Sequence, residues 1–158
     1  MKTENPLLQA LVSGIIGSII GSIPIVLGLS VFQVYSTLTH LIFLQDTILL
    51  RLLLNLVIAL AYGIPVSIIL VFNMNRLNSS SIKSKIIFGT IWGLLTGITA
   101  IVMFNILQPS LFSTHAIEFV SAVLLVHLAY GITCFLIATR ILKSFQSKEE
   151  VEDTFGVF

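Results

Sequence analysis

Polar and apolar residues in this chain neither alternate nor mix evenly. The apolar ones collect into four long runs, about residues 7–33, 48–72, 86–107 and 117–141. Each run is at least as long as the roughly 20 residues with which a helix crosses a hydrocarbon core. Barrel strands would be about half that length and would alternate apolar with polar positions. A continuous apolar segment in lipid satisfies its own backbone only as a helix. The pattern therefore predicts an all-α membrane protein with four transmembrane helices. One transmembrane domain is expected over 1–144, with an acidic tail over 145–158. The first run is too long for the apolar core of a signal peptide and is followed by no clear small-x-small cleavage site, so it is expected to remain.

Within the runs the phrase LAYGI occurs twice, at Leu60–Ile64 and Leu128–Ile132. The first and third runs also match: GSIIGSIPIVLG at 17–28 sets against GLLTGITAIVMF at 93–104. The offset is 76 from Gly17 to Gly93 and 68 from Gly63 to Gly131, so the first outer connection would be eight residues longer than the second. These matches predict two repeated helical hairpins, about 7–72 and 86–141. A two-crossing unit returns the chain to its starting side, so such halves would be parallel and related by an axis along the membrane normal. Glycine stripes at helical spacing predict close helix crossings: Gly14, Gly17, Gly21 and Gly28 on the first helix, Gly89, Gly93 and Gly97 on the third, and Gly63 and Gly131 within LAYGI. Pro24 and Pro65 lie inside the first two runs and are candidate kinks or hinges.

Composition agrees with the pattern. The chain is 56% hydrophobic and 9% charged, with a mean hydropathy of +1.07, far from the soluble norm. The net charge of +1 gives no ground for a nucleic-acid partner, but the placement of charge is informative. Lys2, Arg76, Lys83, Lys85, Arg140, Lys143 and Lys148 fall on one side of the four runs, and Arg51 is the single exception. The positive-inside rule then puts both termini and the central loop in the cytoplasm. The lack of a recognisable targeting peptide and the scarcity of alanine suit the inner membrane of an AT-rich bacterium. The tail turns acidic through Glu149, Glu150, Glu152 and Asp153 and reads as a solvated, disordered extension.

Few polar residues remain at membrane depth. Helical spacing puts Val120, Val123, His127, Tyr130, Gly131, Cys134 and Ala138 on one face of the fourth helix, and Arg51, Asn55, Ala59, Tyr62, Gly63 and Val66 on one face of the second. If the halves pack symmetrically, these faces meet. Arg51, Asn55, Tyr62, His127 and Tyr130 would then form a polar seam from the outer boundary to the midplane. His127 stands where the first repeat has Ala59. An ionisable residue at that depth is a functional candidate, though a neutral imidazole bonded to a neighbour would explain it equally well. Arg51 can anchor at the interface by extending its charge outward, with Asp46 near enough to pair with it. His115 and Glu118 are three apart, and His40 could join them, but such sparse loop ligands make a poor metal site.

Several chemistries lack their parts. The single Cys134 forbids disulfide exchange between paired thiols. Axial histidine pairs for a membrane haem, an HExxH zinc motif and a GxSxG elbow are all missing. The first helix has no carboxylate of the kind a small proton-coupled exporter would need. The sequence thus suggests a non-catalytic membrane subunit or assembly factor that needs no cofactor. Its expected partners are the bilayer and either other membrane subunits or a second copy. A small transporter or channel built on the polar seam is the alternative. The topology is directly measurable. With Cys134→Ala as background, an impermeant maleimide should label Ser113→Cys in intact cells, and Ser80→Cys only after permeabilisation.

Overall fold

The computed structural model describes residues 5–30, 39, 44–45, 47–79, 81–107 and 109–155. Among the described residues the chain forms α1 (Pro6–Gly21), α2 (Ile23–Ser30), α3 (Ile48–Ser79), α4 (Ile82–Leu107) and α5 (Ser110–Phe155). Four segments are long and apolar enough to cross a membrane: Pro6–Gly28, Ile48–Asn73, Ile82–Leu107 and Ala116–Phe145. They coincide with the four apolar runs to within a few residues, apart from 31–33 of the first run, which lie outside the described residues. The protein is an all-helical integral membrane protein.

The helix ends follow local chemistry. The Asn5 side chain caps α1 by accepting the Leu7 N–H at 3.0 Å, and Pro6 occupies a first-turn position where its missing N–H costs nothing. Between α1 and α2 the backbone stays αR at Ser22 (φ −73°, ψ −13°) and the hydrogen-bond ladder passes through it, the Ser22 N–H to the Ser18 carbonyl at 2.9 Å and the Val26 N–H to the Ser22 carbonyl at 3.2 Å. Pro24 cannot donate to the Ile20 carbonyl, and the Ser22 hydroxyl donates to the neighbouring Ile19 carbonyl at 2.7 Å. Helix α3 runs through Pro65, and the only non-helical backbone inside that helix is at Asn73 (φ −115°, ψ 16°), whose side-chain amide bonds the Ile69 carbonyl at 3.0 Å. Of the two candidate hinges, Pro24 lies just after the boundary between α1 and α2, and Pro65 lies within α3. Gly21 and Ser22 precede Pro24, a pair that bends easily.

Helix α5 is 46 residues long, about 69 Å, and outruns its membrane span. The acidic tail expected as disordered chain continues as helix to Phe155. From Ser144 to Phe155 it contains no Gly or Pro to stop the ladder.

Helix α5 is also the centre of the bundle. Helix α4 lies along one side of it and α1 along the other, with α2 continuing the second contact; α3 packs on the far side of α1 and touches α5 only slightly. The order across the bundle is α3, α1, α5, α4. This is not the symmetric arrangement that the repeat predicts, in which the second and fourth helices would meet along a common axis. The reason lies in the glycines of α1. A Cβ at Gly17 would lie 2.7 Å from both the Ala138 Cβ and the Cys134 carbonyl, and one at Gly21 only 2.9 Å from the Cys134 Cβ. Those glycines are therefore used on α5, not on α1's own hairpin partner. Their sequence counterparts on α4, Gly93 and Gly97, face Leu128 and His127 of their own hairpin partner. Matching residues thus have different neighbours.

The LAYGI glycines do have a common job. Gly63 abuts Ile15 at 3.0 Å from an added Cβ to the Ile15 Cα, and Gly131 abuts Gly93 at 2.7 Å to its Cα. Each brings its helix against the first helix of its own hairpin. Aromatic pairs flank the α4–α5 contact: Phe88 and Phe135 with centroids 6.2 Å apart, and Phe104 and Phe119 at 5.6 Å. At the other face Val66 and Leu70 of α3, Ala10 of α1 and Leu142 of α5 are fully buried. Because the obstacle at Gly131 is backbone and not a flexible side chain, Gly131→Val should destabilise the bundle by at least the upper end of the roughly 1–3 kcal/mol that overpacking costs. Ile98→Val on the exposed face of α4 should be nearly neutral. Thermal unfolding in mild detergent compares the two.

Candidate functional site

The polar side chains of the midplane converge on one hydroxyl. Ser18 of α1 is buried, lies 2.7 Å from the Ala59 carbonyl of α3, and lies 2.8 Å from the Tyr130 hydroxyl of α5. The indole Nε1 of Trp92 on α4 is 3.4 Å from the same tyrosine oxygen. The two ends fix the direction of the chain, since an indole N–H only donates and a carbonyl only accepts. Trp92 donates to Tyr130, Tyr130 donates to Ser18, and Ser18 donates to Ala59. This relay takes one group from each of the four spans. Tyr62 adds its ring and not a relay position: its centroid lies 5.9 Å from that of Tyr130 and 6.3 Å from that of Trp92.

The expected seam is thus divided into three places. Tyr62 and Tyr130 meet at the relay. Asn55 lies elsewhere, its amide donating from α3 to the Ser22 hydroxyl of the first span at 3.0 Å. Arg51 is half-buried in the first turn of α3, one turn beyond Asn55. His127 lies three residues before Tyr130 on the same side of α5 and faces Gly97 of α4. It is 3% exposed, its Nδ1 lies 2.8 Å from the Val123 carbonyl one turn back, and its Cβ would be 3.2 Å from a Cβ added at Gly97. A carbonyl can only accept, so Nδ1 is the donor in this contact. The absence of a side chain at Gly97 is what makes room for the imidazole. Ala59, the counterpart of His127, is buried, and its carbonyl takes the Ser18 bond.

Three hydroxyls that matter here were not singled out as site residues in the sequence. In the sequence Ser18 and Ser22 are only further small residues among the glycines of the first run. Ser67 lies opposite Gly14, donating to the Gly63 carbonyl at 2.7 Å and approaching the Leu11 carbonyl at 3.2 Å. Trp92, beside the GxxxG of α4, also carried no signal beyond its indole N–H. Among the described residues there is no group of three or more His, Cys, Asp or Glu side chains placed to hold a metal ion. His40 and Asp46 lie outside the described residues, as does the side chain of His115.

Beside the Asn55–Ser22 bond a cavity of about 440 Å³ opens between α2 and the Ile48 end of α3. Its walls are almost wholly apolar, including Ile20, Leu27, Leu52 and Leu56. The chain matches no protein-family model, and neither a curated protein nor a solved structure matches it.

The relay makes a quantitative claim about coupling. Ser18→Ala and Tyr130→Phe should each cost about 0.5–2 kcal/mol, the range of interhelical polar contacts in membranes. The double variant should cost clearly less than the sum, because both changes delete the same bond. Equilibrium unfolding of the four proteins in mixed micelles measures the cycle.

Proposed function

We propose that this protein is a non-catalytic membrane subunit or assembly factor, which packs its outer helical faces against a larger membrane complex or a second copy of itself. The observation that carries this reading is how the midplane polar groups are used. Tyr130 is 0% exposed, His127 nearly so, and the relay of Trp92, Tyr130, Ser18 and Ala59 directs its hydrogen bonds inward to tie helices together. A permeation or transport path needs polar groups that a substrate or water can reach. Meanwhile α3 packs chiefly against α1, and its Ile48 end presents Leu49, Leu52, Leu53 and Val57 outward. Every glycine of the packing stripes is used within the chain, so an external partner would meet branched aliphatic side chains and not a glycine seam. A parallel duplication of the hairpin and cytoplasmic termini belong to the same proposal, on the grounds of the LAYGI phrase and the distribution of lysine and arginine.

Gentle detergent extraction of a tagged chain, followed by native mass measurement, tests it. The expected result is a stoichiometric complex with a larger membrane protein, or a defined homo-oligomer, and unaltered stoichiometry for His127→Ala. A lone monomer that carries a solute flux abolished by His127→Ala would overturn the reading in favour of transport.

A further inference from the structure

We draw no further inference here: the strongest candidate, the buried imidazole of His127 in the contact between α4 and α5, belongs to the site already described, and nothing in the structure shows a ligand or partner that its second ring nitrogen would meet.

Discussion

A hydroxyl in the middle of a bilayer has no water to turn to, and that constraint organises this bundle. Ser18 meets it by donating to a backbone carbonyl on α3 while accepting from Tyr130 on α5, which in turn accepts from Trp92 on α4. Each bond is individually modest, because a polar group in an unfolded membrane chain also finds partners. Together they register all four spans at one depth. Sliding any span by a single turn, about 5.4 Å, would leave at least one of these groups unbonded in hydrocarbon.

Close approach is the condition for that relay, and glycine supplies it. The α1 backbone can reach α5 because Gly17 and Gly21 present no Cβ to Cys134 and Ala138, and the α4 backbone can reach α5 because Gly89, Gly93 and Gly131 meet each other. Since lipid tails are as apolar as leucine, burial of apolar side chains does little to draw helices together here, and close packing takes over that role. Helix α5 therefore holds two glycine-faced neighbours at once. Among the described residues the side of α3 away from α1 has no such neighbour, which leaves aliphatic residues such as Leu49, Leu53 and Val57 outward.

His127 shows how one packing decision creates a chemical difference between two similar phrases. On α5 the residue before LAYGI faces Gly97, where an imidazole fits and bonds its own helix. On α3 the same position offers its backbone to Ser18 of α1. The two hairpins share their crossing glycines, yet what lies beside those crossings differs because α1 has turned its stripe toward α5.

Much of this was legible in the residues. Four runs of sufficient length gave the spans, since backbone in lipid must pair within its own segment. Helical spacing picked out positions that are buried on α1, α4 and α5, among them Gly14, Gly17 and Gly21, Gly89, Gly93 and Gly97, and Val123, His127, Tyr130, Cys134 and Ala138. Spacing says which face is buried but not against which helix, because a small-residue stripe is complementary to any other. The assignment of Gly17 and Gly21 to α5, the division of the expected seam into three places, and the choice of Ser18 as the shared hydroxyl were decided by tertiary packing alone. The sequence by itself determined what must be buried; the fold decided what each buried group would touch, because hydrogen bonds and backbone contacts between helices depend on relative rotation and depth, which no single segment encodes.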